Sequence, residues 1–154
     1  MDLPKPGPEH KALERLAGTW VGEETIHPGP FDPVGGKATA VVRNVMAVGG
    51  FALVQDYEQT REGGVNFIGH GVLRWDGPAG EYSLLWVDST GFPPSEYRGK
   101  FAGEVLTLSY KGPMGHSRAI WTLKGATGYD YRMELSQDGA TWHPFMDGSY
   151  RKPA

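Results

Sequence analysis

The 154-residue sequence predicts an all-β protein, an antiparallel up-and-down β-barrel of about ten strands with a short N-terminal helix. Three observations predict it. From residue 19 onward the hydrophobic pattern repeats every second residue, the period of a strand with two distinct faces. The 23 glycines and 12 prolines are dispersed between apolar runs, so they punctuate turns instead of forming a disordered tract. Aromatic residues make up 12% of the chain, as suits strands. An open sheet of that many strands would leave exposed edges, which closure into a barrel removes.

Residues 1–7 form a Pro-rich lead-in. Pro8 suits the first helical position, where its missing N–H costs nothing. In "EHKALERLAG" the residues Ala12, Leu13, Leu16 and Ala17 lie on one stripe at helical spacing, and Gly18 stops the run. A helix of about ten residues cannot stand alone, so its stripe must dock. Strands are predicted at about 19–27, 37–47, 51–60, 65–75, 81–88, 95–101, 104–110, 116–124, 129–136 and 142–151. Between them lie Gly49-Gly50, Gly63-Gly64, Asp76-Gly77-Pro78, Gly103, Gly112-Pro113 and Asp138-Gly139, all turn chemistry. With no internal repeat and no linker, residues 1–154 read as one domain.

The formal net charge is −3 and the pI about 5.9. No segment is a basic run, which argues against a nucleic-acid partner. The apolar runs are too short to span a membrane as helices. The start, "MDLPKPGPEH", lacks the apolar core of a signal peptide, so a cytoplasmic location is expected. The absence of cysteine fits, and it excludes disulfides and thiolate metal sites. The composition leaves room for a homodimer.

A short helix followed by "GTWVGEE" resembles the calycin (lipocalin-like) barrels, in which a Gly-x-Trp motif opens the first strand and the Trp plugs the barrel floor. "PGPEHKALERLAGTWVGEE", "GHGVLRWD", "WVDSTG" and "MELSQDGATWHPFMDGSYR" are similar, over about the whole chain, to a bacterial branch of that group, the domain of unknown function 1579. More distantly the sequence resembles the nitrobindins, ten-stranded heme-holding barrels whose first strand also reads Gly-Thr-Trp-x-Gly. The resemblance implies a calycin-like fold; function must be argued from the site.

Strand parity then selects the lining. If Trp20 points in, so do Gly22, Glu24 and Ile26, while Glu23 and Thr25 face water. Ala40, Val42, Asn44 and Met46 are expected inside, and on the third strand Phe51, Leu53, Gln55, Tyr57 and Gln59 share a face, with Asp56 and Glu58 on the other. "YDYRMELS" puts Tyr129, Tyr131, Met133 and Leu135 in. Tyr82, Leu84, Trp86 and Asp88 share a face, with Asp88 near the rim. The fourth strand is ambiguous: one face carries Phe67, Gly69, Gly71, Leu73 and Trp75, the other Ile68, His70, Val72 and Arg74. His70 sits between two glycines, which suits a functional imidazole and equally a closely packed one.

The resulting cavity is aromatic with a few polar tips, the usual make-up of a small-molecule site. Trp20 is read as the floor plug. Glu24, inside an apolar barrel, needs either a partner or a raised pKa; it is a functional acid, or a carboxylate paired with Arg98 or Arg118, or a solvated one near a strand end. A zinc site from His70, His116 and Glu24 has no supporting spacing, and no Gly-x-Ser-x-Gly elbow supports a hydrolase at Asp88-Ser89. The nitrobindin resemblance implies heme held by a histidine of the last strand. In "TWHPFMDGSYRK" the matching positions hold Phe145 and Asp147, and His143 precedes a proline, so heme binding is not expected and hemin should give no Soret band.

The function expected is binding of a small apolar or aromatic molecule in the barrel, using Glu24, Tyr57, His70, Trp86, Asp88, Met133 and Phe145. The rival is an enzyme using His70 and Glu24 as an acid–base pair on a small hydrophobic substrate. A third reading is an interaction module, which an exposed apolar patch on the outer wall would favour.

Overall fold

The computed structural model describes residues 1–153. After the lead-in, α1 (Pro8–Ala12) is a single turn of α-helix, and residues Leu13–Leu16 continue it as a 3₁₀ turn. The expected ten-residue α-helix is therefore shorter and tighter. A 3₁₀ turn eclipses positions i and i+3, which stacks Leu13 and Leu16 in one line; both are fully buried. Gly18 does not cap the helix but begins the first strand, with φ of 126°, and Ala17 already has extended backbone.

Ten strands follow: β1 (Gly18–Ile26), β2 (Gly36–Ala47), β3 (Ala52–Arg61), β4 (Gly64–Asp76), β5 (Glu81–Asp88), β6 (Ser95–Ala102), β7 (Val105–Gly112), β8 (Gly115–Lys124), β9 (Gly128–Ser136) and β10 (His143–Arg151). Each pairs antiparallel with the next, and β1 pairs with β10, so the sheet is closed. The closing register sets Gly22 opposite Tyr150 and Glu24 opposite Gly148. Two irregularities interrupt the ladders, at Gln59/Thr60 against β4 and at Pro144/Met146 against β9; the second leaves Phe145 as the extra residue. None of the helices among the described residues is long and apolar enough to cross a membrane.

The helical segment covers the end from which β1 starts. There Trp20, only 1% exposed, donates from Nε1 to the Leu16 carbonyl at 2.9 Å, and Asn44 Nδ2 donates to the same oxygen at 2.9 Å. The last carbonyl of the turn, which would otherwise be buried and unpaired, thus ties helix, β1 and β2 together. Tyr82 on β5 adds a hydrogen bond to the Glu9 carbonyl at 2.7 Å. Around Trp20 pack Leu13, Leu16, Val42, Leu53, Tyr129 and Tyr150, with Tyr129 edge-on to the indole and Lys152 over its face at 5.0 Å. This end is plugged, as the sequence implies for Trp20.

Three aspartates order the loops. Asp32 in the β1–β2 loop takes a hydrogen bond from Arg61 at 2.5 Å, which, with the Gly35 amide, holds its carboxyl below the ordinary range. The Arg98 guanidinium does the same to Asp76 at the end of β4. In the β9–β10 turn, amides of Thr141 and Ala140 and the Ser136 hydroxyl lower Asp138 to about 2. Groups depressed in the folded state stabilise it fully above their unfolded pKa near 3.8 and lose that contribution as pH falls through the folded values. The urea midpoint is accordingly expected to hold steady down to about pH 4 and to fall between there and about pH 2, and Asp138→Asn should flatten part of the fall. An acid limb identical in wild type and variant would contradict this.

Candidate functional site

Glu24 lies beyond Trp20 and Gly22 on the inward face of β1 and is 1% exposed. Four contacts converge on its carboxyl group, all from neutral donors. The Tyr57 hydroxyl lies 2.8 Å from Oε1 and 2.7 Å from Oε2, Gln59 Nε2 donates to Oε1 at 2.8 Å, and the Tyr150 hydroxyl donates to Oε2. Asn66 Nδ2 donates to Gln59 Oε1 at 3.0 Å, which turns the Gln59 amide so that its NH₂ faces Glu24. Burial first, then the nearby Glu24 charge, pushes Tyr57 and Tyr150 well above the ordinary phenol range, so both remain donors at physiological pH. The alternative in which Glu24 pairs with Arg98 or Arg118 is not realised. Arg98 pairs with Asp76, Glu81 and Glu96, Arg118 pairs with Glu134, and among the described residues no Lys or Arg forms an ion pair with Glu24.

Glycines make the geometry fit. A Cβ on Gly22 would lie 2.2 Å from the Tyr150 ring, and one on Gly148 2.5 Å from it. The ring can lie flat against β1 and reach Glu24 only because both positions lack a side chain. Tyr150 also stacks on Tyr129, with centroids 4.8 Å apart and 13° between planes.

From this cluster to the uncovered end the wall is aromatic. Tyr57 meets Phe67 and Trp86 edge-on at 5.9 and 6.3 Å. The Trp86 indole donates to Asp88 at 2.8 Å, and Asp88 also accepts the Thr90 amide at 3.0 Å. Asp88 is thus a strut between indole and turn. Met133 is opposite Met146, whose sulfur lies 3.7 Å from Gln59 Nε2 and 3.9 Å from the Tyr57 hydroxyl. Phe145 packs beside Ile26, Ala38 and Met146 and meets Phe31 of the β1–β2 loop edge-on at 6.4 Å. Tyr57, Trp86, Met133 and Phe145 are all only partly buried. A cleft of about 300 Å³ opens at this rim, bounded by Phe31, Met114, His116, Leu135, His143 and Phe145. A second, of about 560 Å³, is a groove on the outer wall between Glu23, Lys124, Asp130, Arg132 and Asp147.

His70 corrects the sequence reading. Its imidazole is on the outer wall, exposed, with Nδ1 2.6 Å from Asp56 Oδ1. The space implied by its flanking glycines belongs to another residue: Cβ atoms on Gly69 and Gly71 would lie 2.1 and 3.1 Å from the Trp86 ring. "GHG" is the seat of Trp86. His70 and Glu24 are on opposite faces of the wall, so the acid–base pair does not form. Gln59 and Tyr150, half of the Glu24 cluster, were not among the expected site residues, although Gln59 shares the parity of Tyr57. Tyr150 reaches the cluster through the β1–β10 register, which sets it opposite Gly22.

The residues do not fit a heme held from the last strand. β10 turns Met146, Gly148 and Tyr150 inward, Asp147 binds His27 at 2.5 Å, and His143 is exposed at the rim.

Fold and site together define a closed ten-strand antiparallel barrel, plugged at one end by a helical turn and lined by an aromatic, hydrogen-bonded interior. The chain belongs to the family described as "Protein of unknown function (DUF1579)", whose model matches residues 5–152. No curated protein matches it in sequence. Among solved structures it is similar to Rv2717c from M. tuberculosis, with a TM-score of 0.76 and 17% identity over 96% of this chain and 99% of that one. It is also similar to the S-type phycobiliprotein lyase CPES from Guillardia theta, with a TM-score of 0.61 and 10% identity over 97% and 99%. At these identities the likeness is one of fold.

Proposed function

We propose that the protein binds a small, largely apolar or aromatic molecule at the unplugged end of the barrel. The molecule's body would lie against Tyr57, Trp86, Met133 and Phe145, with the Glu24 cluster beneath as the polar base. The observation that carries this reading is the buried Glu24 carboxyl, held by neutral donors and, among the described residues, by no Lys or Arg, below partly exposed aromatic rings. A barrel wall built only for stability has no need of such a group, because burying a carboxyl is costly, whereas a site uses it to orient a guest. The fold's likeness to a phycobiliprotein lyase is consistent with small-molecule binding. Asp88 enters this reading as the group that positions Trp86; His70 has no part in it.

Nile red, a neutral planar probe, is expected to show blue-shifted, saturable fluorescence with one site per chain. Trp86→Leu and Phe145→Ser should each weaken its binding about tenfold, since a large apolar contact is worth about 1.5–3 kcal/mol. Absence of saturable fluorescence, or affinities unchanged in both variants, would remove the proposed site. Native mass spectrometry of the purified protein then reads the mass of any molecule retained from the host.

A further inference from the structure

We propose that two copies of this chain associate through the outer wall of β2–β5. In a barrel with one buried side, outward positions are expected to be polar. Here a row crossing four strands is apolar: Val45 is opposite Val54, Val54 opposite Val72, and Val72 opposite Leu85. Val45 is 61% and Leu85 48% exposed, and Ile68 and Val87, at 52% and 41%, extend the patch on β4 and β5. A contiguous run of exposed apolar side chains is the kind of surface that marks an interaction site.

The register points to a second copy as the occupant. Beside the apolar row runs a second row, Arg43–Asp56–His70–Val87, across the same strands. A two-fold axis lying in the interface, parallel to the strands and between β3 and β4, stacks the rows without shifting them. Val54 then faces the other copy's Val72, Val45 faces its Leu85, and Asp56 faces its His70, each contact occurring twice. The apolar row is thereby self-complementary, as an isologous interface requires, and Asp56, which pairs with its own His70 at 2.6 Å, lies beside the other copy's His70 as well. The stem of Arg43 would cover Val87. Glu58, Arg74 and Glu96 lie at its margin, and stable interfaces need at least about 600 Å² per partner, more than the apolar row alone offers. Two convex barrels meeting over four strands therefore form a weak, concentration-dependent dimer.

Sedimentation equilibrium on the full chain between about 5 and 300 µM tests this. The expected result is a mass rising from 16.8 kDa toward twice that value. Val45→Lys and Leu85→Lys should each raise the dissociation constant at least tenfold, with the near-UV circular dichroism unchanged. Val45→Ser, which adds no charge, should act in the same direction about threefold. Asp56→Lys should weaken association, and Asp56→Lys combined with His70→Asp should restore it. A chain that stays monomeric throughout the range, or a dimer indifferent to both lysine variants, overturns the proposal. Neither result bears on Nile red binding at the barrel mouth, which involves none of these residues.

Discussion

Glu24→Ala is expected to destabilise the fold by about 3–5 kcal/mol, lowering Tm by about 10 °C, while Glu24→Gln costs about 1 kcal/mol. The asymmetry follows from the donors. Alanine leaves two phenol hydroxyls and the Gln59 amide aimed at one point with no acceptor, at a position only 1% exposed. Each buried donor left unpaired costs about 1–3 kcal/mol. A glutamine carbonyl still accepts, and its NH₂ can donate to a tyrosine oxygen, because a hydroxyl serves in either sense. Urea denaturation of the three proteins measures the difference. If alanine and glutamine cost the same, the cluster is not held together by its acceptor. The glutamine variant also keeps the wall intact, so a change in its Nile red affinity would isolate the carboxyl from the packing around it.

Trp20→Ala is the second large effect, about 4 kcal/mol. The indole is fully buried at the plugged end and holds the last carbonyl of the helical turn, so the variant opens a cavity and removes half of that carbonyl's support. Asn44 alone remains on the Leu16 oxygen. The helical segment is too short to persist undocked, so amide exchange in residues 8–16 should accelerate far more than in β3 or β8. Trp20→Phe retains most of the volume but not the N–H, and it should lie between the two. An alanine variant with unaltered protection in the segment would mean that Leu13 and Leu16 alone hold it.

How much of this was legible in the sequence depends on contrast between strand faces. In "GTWVGEETI" and "YDYRMELS" apolar and polar residues alternate cleanly, and the inward placement of Trp20, Glu24, Tyr129 and Met133 follows directly. In "NFIGHGVLRWD" both faces are apolar: Phe67, Leu73 and Trp75 fill the barrel, while Ile68 and Val72 belong to the outer patch. Parity has no contrast to work with there, and only the flanking glycines point His70 toward the site. Those glycines accommodate a ring from the neighbouring strand, a relation that depends on register and is invisible to spacing along one chain. The same applies to Tyr150, which is 126 residues from Glu24 in sequence. The 3₁₀ turn is hidden for a related reason: residues 13–16 satisfy an α-helical stripe, and the two donors that meet the Leu16 carbonyl come from Trp20 and from the distant Asn44.

The seam between the first strand and the last gives the protein an order of assembly. During synthesis β1 leaves the ribosome early, and until β10 follows it has only β2 as a neighbour. Glu24 must therefore wait, hydrated, for a tyrosine made more than a hundred residues later. The nascent chain keeps two open sheet edges, the state most exposed to mispairing, until β10 arrives, and the contact that closes the cylinder is the one that dries the carboxyl. Completion of the scaffold and completion of its interior chemistry are a single late event.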